Sequence, residues 1–340
     1  MGDEVHWEKL IISRGGKRIP LEFPIFPAPL AGALEPPYRM LLHDLGVELS
    51  FTEMVSARGV FEESKRTLEI AGWVPDKGHS GAQVFGNDEQ YLARAAEEMV
   101  RLGHHLVDLN AGCPKRKVMS QGSGGALLKD PDRMITLLAS ILDSVDVPVG
   151  VKLRSGYNGF DGTAFRKLIL DLEGLGLSYI SIHGRTVNQG FRGSADREVI
   201  RIAASMVDIP ILASGDAKGI SDVLDYFSRG ASGVMIGRAL MGNPTIIRRI
   251  ITGEERNYPK DPKEIEEVFS AAREHLENSM RFFGEKRGCV KFRTHLGWYV
   301  HSFSGRRPYM DRIHHISDAR DFIGLMEEIE KEWKCQLDPC

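Results

Sequence analysis

The sequence predicts an α/β chain, a (β/α)8 TIM barrel followed by a small C-terminal helical domain. Three observations predict it. Between about residues 24 and 240, eight short apolar runs alternate with amphipathic stretches. Polar residues collect at the C-terminal ends of those runs, where barrel enzymes place their sites. After Gly253 the alternation stops and long helical patterns take over.

The runs are PIFPAPL (24–30), VELSFTEM (47–54), SGAQVFG (80–86), HLVDLN (105–110), VPVGVKLR (147–154), YISIHGR (179–185), IPILASGD (209–216) and SGVMIGR (232–238). Most are rich in Val, Ile and Leu, as strands buried on both faces of a parallel sheet are. An open doubly wound sheet would also use such strands. The count of eight and the polar strand ends favour closure into a barrel. Between the runs, residues 88–102 carry Tyr91, Leu92, Ala95, Ala96, Met99 and Leu102 at helical spacing, capped by Asn87 or Asp88. Pro131 opens a second helix behind Asp130. Residues 161–175, 196–206 and 220–229 follow the same pattern.

The domain boundaries are expected at 1–23, 24–253 and 254–340. The first piece holds a hairpin, KLIISRGGKRIPLEF, turning at Gly15-Gly16 and covering the barrel floor. The last holds helices over 260–284 and 318–334.

Net charge is −3 over 340 residues, so the chain as a whole is not a polyanion binder. Charge is unevenly spread, however. Eight Lys or Arg lie between Arg281 and Arg312 against two acids, with Phe282, Phe283, Phe292, Trp298, Tyr299, Phe303 and Tyr309 interleaved. Such a segment suits a phosphate backbone, or else is a solvated helical surface over a small aromatic core. The four cysteines, Cys113, Cys289, Cys335 and Cys340, show no zinc-type pairing, and no metal site is expected. Their usage fits a reducing cytoplasm, although Cys335 and Cys340 could pair. No secretory leader or membrane-spanning run is evident.

The strand ends supply Ala28-Pro29, Glu53, Gln83, Asn110 with Cys113, Lys152 with Arg154, His183 with Arg185, Ser214-Gly215-Asp216 and Gly237-Arg238. This ring suits a planar cofactor with many acceptors and a phosphate tail. Gly215, Gly237 and Arg238 would hold the phosphate near the last two strands. Lys152 and Gln83 would meet the polar edges of an isoalloxazine ring. Singly, each residue reads as an ordinary structural hydrogen-bonder; together they point to a site.

Several stretches carry a family resemblance: APLAG (28–32), Glu53-Met54, QVFG (83–86), DLNAGCPKRKVMSQGSGGALL (108–128), VKLRSG (151–156), IHGRT (182–186), Gly215-Asp216 and VMIGRALMGNP (234–244). In these the sequence resembles the tRNA-dihydrouridine synthases over nearly its whole length. The resemblance implies an FMN-dependent reduction of tRNA uridines, hydride passing from flavin N5 to C6 and a proton from Cys113 to C5. It implies NADPH or NADH as electron donor and tRNA as partner, in a cytoplasmic monomer. FMN would contact Ala28, Pro29, Leu30, Gln83, Lys152, His183, Ser214, Gly215, Asp216, Gly237 and Arg238. Asn110 would meet the uracil edge. Lys115, Lys117, Arg154, Arg185 and Arg192 would line the rim, and Lys291 and Arg293 would grip the tRNA body. Ser214 stands where the family pattern has Asn, so its side chain offers only one hydroxyl. The positive neighbours of Cys113 would depress its pKa until tRNA phosphates offset them. Two rival functions fit the barrel, an FMN enzyme of the dihydroorotate-dehydrogenase type acting on a free pyrimidine and an RNA-binding barrel without redox chemistry.

Overall fold

The computed structural model describes residues 7–72, 78–255, 259 and 261–337. Its strands are β1 (Leu10–Arg14), β2 (Lys17–Leu21), β3 (Ile25–Pro27), β4 (Leu49–Phe51), β5 (Val55–Ser56), β6 (His79–Phe85), β7 (Leu106–Ala111), β8 (Val149–Arg154), β9 (Tyr179–His183), β10 (Ile211–Ser214) and β11 (Gly233–Ile236). Among the described residues, eight parallel strands run in the order β3-β11-β10-β9-β8-β7-β6-β4, with the short β5 beside β6. The ends meet where Phe26 of β3 packs edge-on against Phe51 of β4, ring centroids 6.5 Å apart. This is the expected barrel.

Alternation along each strand sorts residues to two sides. Val107, Leu109 and Ala111 of β7 pack against the outer helices. Leu106 joins an inner cluster with Phe26, Phe51, Tyr179, Leu212 and Met235. The β1–β2 hairpin closes this cluster from below, with Leu10, Ile12, Ile19 and Leu21 buried in it. Gly15 and Gly16, at φ 57° and 81°, make the turn that only glycine adopts without strain. Residues 1–6 of the expected first piece, 1–23, lie outside the described residues.

Aspartates start the outer helices as the sequence suggests. Asp88 accepts from the Tyr91 N–H at 2.9 Å, Asp130 from Arg133 at 3.0 Å and Asp161 from Thr163 at 2.9 Å. The expected strands overshoot the observed ones mainly at their C-terminal ends. Residues 28–30, for example, continue the apolar run but leave the sheet to line a cavity. A further helix covers Pro36–Asp44, with its two leading prolines in the first turn, which tolerates them.

Beyond the barrel, helices over Pro262–Phe283, Glu285–Tyr299, Arg307–His315 and Ala319–Leu337 build a second core. Phe292, Tyr299, Phe303, Phe322 and Trp333 are buried in it. Of the aromatics interleaved with charge, Phe292, Tyr299, Phe303 and Tyr309 therefore form core and present no face to RNA. Cys113 and Cys289 are free thiols; Cys340, the partner that Cys335 could take, lies outside the described residues.

If the hairpin plugs the barrel, Ile12→Ala opens a void in a fully buried cluster. A loss of about 2–5 kcal/mol is expected in denaturant unfolding. A change below about 0.5 kcal/mol would show that the hairpin is peripheral.

Candidate functional site

A cavity of about 600 Å³ opens at the C-terminal ends of the barrel strands. That is the size of a small-molecule site, roughly 300–1,000 Å³. Ala28, Pro29 and Leu30 form one wall; Gln83, Asn110, Lys152 and His183 lie across the strand ends; Ser214, Gly215, Asp216, Gly237 and Arg238 close the far side. Cys113, Lys115 and Arg154 also line it. Strand register brings these groups together, since Asn110 pairs with Lys152, and Arg154 and Ser214 both pair with His183.

Lys152 is half-buried, but its Nζ is fully buried and has no hydrogen-bond partner. Burial pushes its pKa down to about 8, against the pull of Asp108. It remains largely charged at neutral pH, a costly arrangement unless a ligand supplies acceptors. His183 is the opposite case. Burial, then the nearby Lys152, Arg154 and Arg185 charges, push its pKa far down, so the ring is neutral. The Arg185 N–H donates to its Nδ1 at 3.2 Å, which leaves Nε2–H as the donor.

Gly215 has φ 121°, and a Cβ there would sit 2.7 Å from that of Ala195. Asp216 follows at φ 50°, unusual for a residue with a side chain. It is held by Arg185 at 2.9 and 2.6 Å, by Arg238 at 3.0 Å and by the Ala195 N–H at 2.9 Å. This clamp changes the expected role of Arg185. It is buried and spent on Asp216 and on the Arg192 and Gly193 carbonyls, so it does not line the rim.

Arg154 is likewise more buried than a rim residue. It reaches the carbonyls of Gly112, Thr186 and Gly190 at 2.9, 3.0 and 2.7 Å, tying the Cys113 loop to its neighbour. Lys117 is exposed on a short helical turn, Arg116–Met119, outside the cavity wall. Arg192 is exposed and donates to the Asn188 carbonyl at 3.0 Å.

The Cys113 loop is fixed from two sides. Asn110 Oδ1 accepts from the Cys113 N–H at 2.9 Å and from Gly112 at 3.2 Å. The Cys113 carbonyl accepts from the Gly125 N–H at 3.0 Å. A Cβ on Gly124 or Gly125 would lie 3.1 Å from that carbonyl, which explains the GSGG stretch as a buttress for the cysteine. Burial raises the Cys113 pKa, outweighing the pull of Lys115 and Arg154. The thiol is therefore protonated without help from bound phosphates, contrary to the depression expected from its positive neighbours.

Lys291 and Arg293 have intramolecular work. Lys291 spans to the barrel, 3.2 Å from Glu35 and 3.7 Å from Glu69, and sits over the Phe283 ring. Arg293 donates to the Ile316 and His315 carbonyls at 2.6 and 3.2 Å, closing the end of the 307–315 helix. Trp298, on the same helix as Lys291, reaches the cavity, as do Lys218 and Phe191 from barrel loops. No local pattern in the sequence marks these three as site residues. Among the described residues no cluster of three or more His, Cys, Asp or Glu is placed for a metal. None of their helices is long and apolar enough to cross a membrane.

The thiol state has a direct consequence. Alkylation of Cys113 by iodoacetamide should be slow at neutral pH and climb with a midpoint above about 8.5, the value of a free thiol. Site-resolved mass spectrometry would measure it, and a midpoint well below that value would show an activated thiolate instead.

Comparison with known proteins follows the same lines. The family model "Dihydrouridine synthase (Dus)" matches residues 26–334. The tRNA-dihydrouridine synthase B of Yersinia pestis is 33% identical over 307 residues, covering 88% of this chain and 94% of its own. That of Escherichia coli K12 is 32% identical with the same coverage, 88% and 94%. That of Pasteurella multocida is 31% identical, covering 89% and 91%. The solved structure of morphinone reductase aligns with a TM-score of 0.51 at 14% identity, covering 77% of this chain and 93% of that one, a likeness of fold alone. On the family match and these full-length similarities, the chain belongs to the dihydrouridine synthase family.

Proposed function

We propose that this protein reduces uridines in tRNA to 5,6-dihydrouridine, with FMN resident in the barrel cavity and NADPH or NADH as electron donor. The observation that carries this is a pairing within one cavity, the buried unpartnered Nζ of Lys152 and the thiol of Cys113, whose pKa burial raises.

The residues present fit a flavin. Lys152 supplies a charge for the electron-rich edge of the ring, where negative charge grows on reduction. The neutral His183 and Gln83 offer donors beside it. Backbone N–H groups at Gly215 and Gly237, with Arg238, suit the phosphate. Ser214 lines this side and can contribute a hydroxyl. A bound reduced flavin supplies the hydride for C6 of the uracil.

The chain's own chemistry is proton delivery and orientation. Cys113 holds its proton at neutral pH and donates it from Sγ to C5, acting as a general acid. Asn110 has one amide N–H left after bonding Gln83, and this meets a uracil carbonyl. A uridine must leave its stack to reach the cavity, which costs a few kcal/mol. Lys115 and Lys218, exposed in the cavity lining, and Lys117 and Arg192, exposed within two residues of the lining Lys115 and Phe191, offset this through phosphate contacts. Lys291 and Arg293 hold the helical region together and contribute to tRNA binding only through its placement. With Phe292, Tyr299, Phe303 and Tyr309 of that region buried, preference for tRNA over a free pyrimidine rests on the basic mouth. A tRNA substrate suits a reaction in the cytoplasm.

Two outcomes test this proposal. Cys113→Ala should keep its flavin and its affinity for tRNA, yet fail to reoxidise the reduced flavin when tRNA is added anaerobically. Reoxidation at the wild-type rate would remove Cys113 from the chemistry. Affinity for tRNA should fall by more than about tenfold between about 50 and 200 mM salt. Salt-independent binding would exclude the basic mouth as the docking surface.

A further inference from the structure

Asp108 sits in β7 two residues before Asn110, is fully buried, and belongs to none of the cavity walls. Its carboxylate begins a chain of hydrogen bonds that ends at the cysteine. Tyr179 OH donates to Oδ1 at 3.0 Å, and Gln83 Nε2 donates to Oδ2 at 2.7 Å. Gln83 Oε1 then accepts from Asn110 Nδ2 at 2.7 Å. Asn110 Oδ1 in turn accepts from the Cys113 N–H at 2.9 Å.

We infer that Asp108 is a positioning residue which fixes the direction of both side-chain amides and so holds the backbone of Cys113 in place. A primary amide carries an acceptor at one end of its plane and donors at the other, and turning it over exchanges them. Nothing about Gln83 or Asn110 alone selects one direction. An ionised carboxylate does, because it can only accept. Facing Asp108, Gln83 must present Nε2 and keep Oε1 for Asn110. Asn110 must then present Nδ2 and keep Oδ1 for the Gly112 and Cys113 N–H groups. The same order leaves a donor on Asn110 for whatever lies above it in the cavity.

The surroundings support an ionised Asp108. Lys152 lies within electrostatic reach, and the bonds from Gln83 and Tyr179 favour the charged form, so that burial raises its pKa only to about 6. Tyr179 reaches the carboxylate because β8 carries Gly150 beneath it; a Cβ at that position would lie 2.2 Å from the Tyr179 ring.

The effect on turnover rests on Cys113 being the proton donor proposed above, but the effect on loop geometry does not. In Asp108→Asn, residue 108 can donate or accept, so the bias is lost. With flavin-loaded full-length protein, kcat on tRNA should fall about tenfold or more, as misplacement of a reacting group does. KM for tRNA and flavin content should stay near wild type. The rate of Cys113 alkylation should change severalfold. Tyr179→Phe removes a donor but leaves the carboxylate and should alter both readouts far less. The double change Asp108→Asn with Asn110→Asp reverses the order of the chain and returns an acceptor to the Cys113 N–H. It should bring the alkylation rate of the fully ionised thiol, measured on the high-pH plateau, back while turnover stays low, since the donor of Asn110 is gone. Wild-type kcat and alkylation in Asp108→Asn, or an alkylation rate that the double variant does not restore, would overturn the inference. If wild-type protein makes no dihydrouridine while the alkylation pattern holds, the functional proposal fails and the positioning role stands.

Discussion

A negative charge enclosed by the barrel at Asp108 has to be answered by donors, and much of the site's geometry is the answer. Tyr179 supplies one donor from β9 and Gln83 another from β6. Lys152 from β8 supplies the compensating charge. Four neighbouring strands are thus tied to one residue. The hairpin packs below this layer and the cavity opens above it. A polar layer at this depth is expensive unless complete, and a completed one is rigid. That rigidity suits a site which must hold a thiol at a fixed place over a planar ring.

A second charge cluster organises the opposite side. Asp216, in a left-handed conformation, is clamped by Arg185 and Arg238. The buried Arg185 spends its remaining hydrogen bonds on the loop that carries Arg192 and Gly193. Strained residues persist where the surroundings over-determine them, and here they shape the turn next to Gly215. The helical region completes the cavity through Trp298, with Lys291 anchoring the same helix to Glu35 and Glu69 on the barrel side.

The barrel was legible because strand burial leaves a local mark, a run of Val, Ile and Leu ending in a polar residue. Capping aspartates were legible for the same reason, since a cap and its N–H lie within three residues. Gln83, Lys152, His183 and Cys113 could be placed in one cavity because strand ends converge in this fold. What could not be read was the partner of each long side chain. Arg185 and Lys291 look in sequence like basic residues free to bind RNA. Their carboxylate partners lie 31 residues away at Asp216 and 256 residues away at Glu35. The interleaved aromatics left two readings open, and the aromatic-core reading is the one that holds, because helix faces alternate charge and core along the chain. The direction of the Cys113 pKa depended on burial, which no neighbouring residue reports.

The most direct measurement is of product. Purified flavin-loaded protein is incubated with an unmodified tRNA transcript and reduced nicotinamide, and the digested nucleosides are quantified by mass spectrometry. Dihydrouridine at a defined tRNA position, appearing only with the electron donor, is the expected result. No dihydrouridine in tRNA, with free uracil or uridine reduced instead, would contradict it.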